Sequence, residues 1–233
     1  MKTIKTHPDF EAAKAYALTR LERELPDVMF YHSIWHTRSE ILPQVNRLIE
    51  LEQLTGRGRL WVRTAALYHD IGFTESAIDH ERIGVQIATR VLPRFGYAPS
   101  DVQSIARIIT ATRLPQTAHT LPEMILADAD LDVLGRRDFL TRNQLLRAEL
   151  AALGTAFSDE SWLSGQLDLL RDHTYFTPSA RNLRDAGKLR NIEKLERMLS
   201  RCREHNTPAC SGPYPQIHHL LTGISLASRA AIH

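Results

Sequence analysis

The stretch Ala65-Ala66-Leu67-Tyr68-His69-Asp70-Ile71-Gly72 decides the fold, because here a histidine and an aspartate directly follow an apolar run. The run is typical of a buried helix, and Gly72 is expected to end it. Burying an imidazole beside a carboxylate is costly unless a partner satisfies both groups. A divalent metal ion does so, since imidazole suits transition metals and carboxylate suits Mg or Mn. His69 and Asp70 therefore indicate a metal site.

Two further motifs flank this pair. Upstream lies Tyr31-His32-Ser33-Ile34-Trp35-His36, in which the two histidines are four residues apart and would share one face of a helix. Downstream lies Ala127-Asp128-Ala129-Asp130-Leu131-Asp132, with three carboxylates in an otherwise apolar stretch. The chain thus offers His, then His-Asp, then Asp, each on a different helical segment.

From about Tyr31 to Gly135, this order of motifs resembles the HD superfamily of metal-dependent phosphohydrolases. The phrases Ala-Leu-Tyr-His-Asp-Ile-Gly-Phe and Asp-Ala-Asp-Leu-Asp-Val-Leu-Gly are similar to its second and last motifs. The resemblance implies an all-α fold, an HD-domain helical bundle, and hydrolysis of a nucleotide or other small phosphoester, either a phosphomonoester or a cyclic or other phosphodiester. The implied metal ligands are His36, His69, Asp70 and Asp130.

The last ligand has an alternative. Asp130-Leu131 resembles the Ala-Asp-Leu motif of cyclic-nucleotide phosphodiesterases, which favours Asp130. Asp128 lies two residues earlier on a different helix face, and it is kept as the alternative ligand or as a neighbouring partner. The related pattern Asp-Ala-Asp-Arg-Leu-Asp has one more residue before its last Asp, and this chain departs from it. Asp132 is interpreted as a structural cap.

The resemblance also implies catalytic roles. In the similar phosphodiesterase motif Tyr-His-x-x-x-His, the second histidine binds metal and the first protonates the leaving group. Carried over, His32 is a candidate general acid, the alternative being a helix histidine hydrogen-bonded near the site. Asp70 would bridge if two metals are present, and His80 would face the metal or the substrate phosphate unless it is an exposed first-turn residue. The two-metal subfamilies usually have a further histidine in the region that corresponds to residues 109–113, and this chain has none there. The resemblance therefore favours one metal, or a weakly held second one, as the more economical interpretation. Its identity stays open among Mn, Mg, Fe, Co, Ni and Zn.

Cationic side chains are also needed to bind a phosphate, and arginine offers a bidentate fork. For each candidate the alternative is a solvated helix face. The candidates are Arg38, Arg63, Arg113, Arg181, Arg184 and Lys188, of which Arg184 and Lys188 are four residues apart and share a helix face.

Composition limits the class of protein. With 43% hydrophobic and 24% charged residues among 233, the chain has the composition of an ordinary globular protein. The net charge of +2 gives no argument for nucleic acid or an anionic membrane as a partner, and a small phosphorylated substrate is expected instead. No apolar run approaches the ~20 residues of a membrane span. The two cysteines, Cys202 and Cys210, form no disulfide framework, which favours a reducing cytoplasm.

Helical periodicity extends along nearly the whole chain, with no convincing alternating strand. We expect an HD-type metal-binding domain over residues 1–150, a helical extension packed on it over 151–205, and a poorly structured tail over 206–233. The predicted helices cover 8–24, 32–54 with a distortion at Pro43, 58–70, 80–92, 99–112, a segment from Thr120, 138–153, 159–172 and 177–203.

Two other functions compete with hydrolysis. One is a catalytically weak regulatory module that senses a nucleotide with the same fold and metal. A pure sensor need not retain the set His36, His69, Asp70 and Asp130, so the intact set favours the enzyme. The other is an oxygenase with a di-iron centre, which needs more ligands than the sequence offers.

Overall fold

The computed structural model describes residues 7–205, and within this range it contains nine α-helices and no β-strand. The all-α prediction is therefore confirmed. No helix among these residues is both long and apolar enough to cross a membrane. The helices are α1 (Phe10–Glu24), α2 (Leu42–Leu51), α3 (Gly56–Tyr68), α4 (His80–Val91), α5 (Pro99–Thr110), α6 (Leu121–Asp130), α7 (Phe139–Ala152), α8 (Asp159–Asp172) and α9 (Pro178–His205).

The chain divides after Asp130 into two compact units. The first contains α1 to α6 and the second contains α7 to α9. The boundary that the sequence suggests, between residues 150 and 151, lies inside α7. The predicted tail at 206–233 lies outside the described residues.

The first unit is built around α3, which packs against α1, α2, α5 and α6. The last turn of α3, Ala65 to Tyr68, is fully buried, and the Tyr68 hydroxyl donates a hydrogen bond to the carbonyl of Ala13 at 3.1 Å. Burial of a large apolar side chain such as Leu67 contributes roughly 1.5–3 kcal/mol. Because His69 and Asp70 follow directly, the core of the unit fixes where they lie.

The segment before α2 differs from its prediction. His36–Ile41 forms a π-helix that continues directly into α2, and Pro43 lies in the first turn of α2. Pro43 has no N–H to donate and its ring crowds the preceding turn, so the helix widens just before it. His32 lies in a bend ahead of the first helical residue. The expectation that His32 and His36 share one helix face is therefore wrong.

The second unit is organised by the pairing of α8 with α9 and by a short 3₁₀ segment, Asp132–Gly135, that packs on α9. The Arg184 guanidinium binds both carboxylate oxygens of Asp132, at 2.6 and 2.9 Å. Asp132 is thus held in an ion pair with a side chain of α9. The hydrophobic core of the second unit contains Val133, Leu134, Phe139, Leu163, Leu167, Leu170, Leu195 and Leu199.

A buried carboxylate links α3 to the start of α5. Asp101 accepts hydrogen bonds from the side chains of Arg57 and Trp61, the latter at 2.8 Å, and from the backbone N–H of Ala98 at 3.0 Å. Burial by itself raises the pKa of Asp101, but the bonds from Arg57 and Trp61 outweigh it and lower this pKa below its ordinary value.

Asp101→Ala is expected to lower the free energy of unfolding by about 2–3 kcal/mol at pH 7, because it removes the carboxylate that accepts hydrogen bonds from Arg57, Trp61 and the Ala98 N–H, and bonds to a charged group contribute about 1.5–3 kcal/mol. Since the folded pKa is lowered, the contribution is full above the ordinary aspartate pKa of about 3.9 and is lost as pH falls through the folded value. Urea unfolding at pH 7 and in acid measures both effects. Equal urea midpoints of variant and wild type at pH 7 would contradict this prediction.

Candidate metal centre

Side chains from three parts of the first unit come together at one site. Ligand atoms of His36, His69 and Asp130 all lie within 4.8 Å of one another, and Asp70 lies beside this group. Nε2 of His69 lies 3.2 Å from Oδ2 of Asp70 and 3.5 Å from Oδ1 of Asp130. Nε2 of His36 lies 3.8 Å from each of the same two oxygens. His36 lies in the π-helix, the His-Asp pair directly follows α3, and Asp130 is the last residue of α6.

Both histidines are oriented by a hydrogen bond from their other ring nitrogen. Nδ1 of His69 donates to the carbonyl of Ala66 at 2.9 Å. Nδ1 of His36 donates to Oε2 of Glu40 at 3.0 Å. In a neutral imidazole with Nδ1 protonated, Nε2 carries the lone pair, so both lone pairs face the cluster.

The donor set fits a divalent cation. Nε2 of His36, Nε2 of His69 and Oδ2 of Asp70 are buried without a hydrogen-bond partner among the described residues. Such orphaned buried groups are rare unless an ion or water satisfies them. Metal–ligand bonds of about 2.1 Å at tetrahedral or octahedral angles place neighbouring ligand atoms about 3.0–3.4 Å apart. The separations of 3.2–3.8 Å between histidine nitrogens and carboxylate oxygens come close to this range, so His36, His69 and Asp130 could hold a metal ion, with Asp70 beside them.

The electrostatics of the cluster favour added positive charge. Burial disfavours a proton on His69, but the carboxylates of Asp70 and Asp130 outweigh burial and raise the pKa of His69 well above its ordinary value. Burial alone would raise the pKa of both carboxyl groups, whereas the neighbouring histidines lower it. Two buried carboxylates thus attract a cation, and a divalent ion is one that imidazole can also bind.

Two further histidines lie beside the cluster. His80 begins α4, and its Nε2 lies 3.8 Å from Oδ1 of Asp70, whereas Oδ2 is the oxygen near His36 and His69. Burial lowers the pKa of His80, which favours the neutral ring. The His32 ring lies 6.1 Å from the His36 ring and 6.2 Å from the His80 ring, between centroids.

Asp79 occupies the N-cap position of α4. It has a left-handed backbone with φ of 54°, and its side chain makes no capping hydrogen bond. Its carboxylate instead lies 3.6 Å from Arg113 and 3.7 Å from Arg82. Gly72 also differs in position, because α3 ends at Tyr68 and Gly72 lies in the following 3₁₀ turn.

The cationic candidates lie in different surroundings. Arg113 is in the first unit, where its partner Asp79 directly precedes His80. Arg38 is exposed on the π-helix. In the second unit, Arg184 pairs with Asp132, and Lys188 donates to the carbonyl of His173. Contact of any of these groups with a phosphate stays a prediction.

Asp128 and Asp130 both belong to α6, but their side chains lie in different surroundings. Oδ1 of Asp130 lies among the histidine nitrogens, while Asp128 is buried and has contacts of its own. Asp130→Ala is therefore expected to lower metal affinity more than Asp128→Ala does. Titration of each purified variant with Mn²⁺ against a competing chelator measures the difference. A larger loss of affinity in Asp128→Ala would identify Asp128 as the ligand.

Two residues near the site, Glu40 and Phe73, were not identified from the sequence. Glu40 orients His36, and its spacing of four residues on a helical segment is a signal that could have found it. Phe73 stacks on the rings of His32 and His80, with centroids 4.4 and 4.0 Å away. A single aromatic residue at the end of an apolar motif carries no signal of such a contact.

Comparison with known proteins agrees with this geometry. Residues 45–132 match the HD domain, a range that includes His69, Asp70 and Asp130 but not His36. No curated protein matches the chain. A similar solved structure is that of a predicted HD superfamily hydrolase from an uncultured Thermotogales bacterium, with 21% identity, a TM-score of 0.55, and 81% of this chain and 92% of that chain covered. At this identity the likeness shows the fold alone. Residues 45–132 are therefore similar to the HD domain, and the chain shares the helical fold of that solved structure, as its motifs predict.

Proposed function

We propose that this protein is a metal-dependent phosphohydrolase acting on a nucleotide or another small phosphoester. One observation carries the proposal: four buried or nearly buried ligand atoms from His36, His69, Asp70 and Asp130 converge, and three of them have no hydrogen-bond partner among the described residues. Three or four protein ligands leave coordination positions for water and substrate, which a catalytic site needs. A divalent ion held there lowers the pKa of bound water and neutralises phosphoryl charge.

The neighbouring side chains supply the other functions that hydrolysis requires. His32 lies close enough to the cluster to donate a proton to a leaving oxygen, which is the role of general acid. His80 lies on the Oδ1 side of Asp70, where a neutral imidazole can donate a hydrogen bond to a phosphoryl oxygen or receive a proton. Arg113 is placed by Asp79 next to the start of α4 and can bind a phosphate as a bidentate donor.

The experiment that tests this function has two stages. Metal content is first measured on the purified protein, with His69→Ala as the control that lacks one ligand. Hydrolysis of nucleoside monophosphates, cyclic nucleotides and nitrophenyl phosphoesters is then assayed with Mn²⁺, Mg²⁺, Co²⁺ and Ni²⁺. Metal-dependent turnover that is absent in the control supports the proposal. Stoichiometric metal with nucleotide binding but no turnover would favour the sensing module, and a wild-type protein that binds no metal would overturn both.

A further inference from the structure

The segment between Asp70 and His80 connects two residues of the candidate site and is held tightly at several points. It begins with the 3₁₀ turn Ile71–Thr74. A Cβ atom on Gly72 would lie 1.9 Å from the carbonyl oxygen of His80, so this close approach requires glycine. The position of the turn and the position of the first residue of α4 are therefore coupled through their backbones.

Phe73 contacts His80 and His32, the two histidines that lie beside the ligand cluster, and so links their positions to that of the turn. Its side chain is buried, and its ring is nearly parallel to those of His80 and His32, at interplanar angles of 20° and 23°. Stacked rings in van der Waals contact restrict each other's orientation. A shift of Phe73 would consequently move or release two imidazoles at once.

Arg20 of α1 is hydrogen-bonded to two side chains at the end of the turn. Nε of Arg20 donates to the hydroxyl of Thr74 at 3.1 Å, and Nη2 donates to the carboxylate of Glu75 at 2.7 Å. The Arg20 side chain is only 10% exposed, so it is held in place by its surroundings. Arg90 of α4 reaches the same Glu75 oxygen at 3.4 Å, which joins α1, the turn and α4.

Arg20 also has partners on its own helix. Its Nε lies 2.9 Å from Oε2 of Glu24, and its Nη1 lies 3.5 Å from the hydroxyl of Tyr16. These contacts lie within α1 and do not touch the turn. They offer a matched control, since Glu24→Gln removes the charge of a partner of Arg20 but none of the bonds from Arg20 to Thr74 and Glu75.

We propose that Arg20 is a positioning residue for the candidate site and acts through Thr74, Glu75 and the ring of Phe73 on His80 and His32. The expected effect on kcat rests on the proposed hydrolytic function. The expected effect on the rings of His32 and His80 rests on the contacts alone. Arg20 lies outside residues 45–132, the range that matches the HD domain. The position of the turn that follows Asp70 is thus set partly by a helix outside that range.

The test compares Arg20→Met, Arg20→Lys, Glu75→Ala and Glu24→Gln in the full chain loaded with Mn²⁺ for kinetics and with Zn²⁺, which is diamagnetic, for spectroscopy. We expect Arg20→Met and Glu75→Ala to retain metal but to shift the ring signals of His32 and His80 in ¹⁵N-histidine spectra. Their kcat should fall roughly 10-fold or more with little change in KM, since a misplacement of about 1 Å can cost about 10²-fold. Arg20→Lys should recover part of kcat, and Glu24→Gln should behave as wild type. The double variant Arg20→Met/Glu75→Ala should lose no more than either single variant.

Two results would overturn the inference. One is wild-type histidine signals and kcat in both Arg20→Met and Glu75→Ala. The other is an equal loss in Glu24→Gln, which would make the effect a general destabilisation of α1. If Arg20→Met does not fold, Glu75→Ala, whose side chain is 44% exposed, still decides the question. If the wild-type protein hydrolyses none of the esters, the proposed function fails, whereas the histidine spectra still test the positioning role.

Discussion

Replacing His69 or Asp70 with alanine is expected to abolish both metal binding and phosphoester hydrolysis. Nε2 of His69 and Oδ2 of Asp70 lie 3.2 Å apart, and neither has a hydrogen-bond partner among the described residues. Loss of either atom removes a donor that the other three cannot replace, because the surrounding core holds each ligand in place. Metal content after dialysis, followed by turnover with added Mn²⁺, measures both effects.

The matched control for this experiment is His119→Ala. His119 is an exposed histidine of the first unit, so its removal tests whether loss of any imidazole lowers metal content. Far-UV circular dichroism on all variants separates loss of metal from loss of fold. A full metal complement in His69→Ala or in Asp70→Ala would contradict the assignment of that residue as a ligand.

His32→Ala is expected to leave the metal in place and to slow turnover by roughly 10²–10⁴-fold, the usual contribution of a general acid. The His32 ring lies beside His36 but contributes no atom to the group of ligands at His36, His69 and Asp130. Its loss should therefore spare metal content. Metal analysis and kcat on an alkyl phosphoester provide the two measurements.

The choice of substrate distinguishes acid catalysis from positioning. A nitrophenolate leaving group needs little protonation, so the effect of His32→Ala should be much smaller on nitrophenyl esters than on alkyl esters. The rate losses of His80→Ala on the same two kinds of ester control for the general effect of removing a histidine beside the cluster. An equal loss of rate on both kinds of ester would refute the acid role of His32.

Much of the fold follows from local sequence patterns. Helix periods predict α4, α5, α7 and α8 to within about two residues at each end, because the apolar spacing that defines an amphipathic helix is local. The predicted ligands have a similar origin. Adjacency places His69 and Asp70 together, and the resemblance to the HD superfamily identifies His36 and Asp130 before any contact is known. The structure brings these four side chains to one point, and their role as ligands stays a prediction until metal is measured.

Conformation outside the regular helices was only partly predictable in this way. Pro43 predicts a local distortion of the helix but not its form as the π-helix His36–Ile41, and no local pattern predicts the bend at His32. Phe73 of the turn after Asp70 stacks on His32, and Arg20 of α1 is hydrogen-bonded to Thr74 of the same turn. These contacts join residues far apart in sequence, and no local pattern encodes such distances.

The sequence by itself determined the helices, the motif order and the chemical type of the ligand set, because each depends on residues within a few positions of one another. Only the tertiary structure decided that Oδ1 of Asp130, with no Asp128 oxygen in the same cluster, lies among the histidine nitrogens. It also decided that Arg184 pairs with Asp132 and that Arg20 reaches the turn after the His-Asp pair. Which of several carboxylates or arginines meets a given partner depends on how whole helices pack, since packing sets the direction of each side chain.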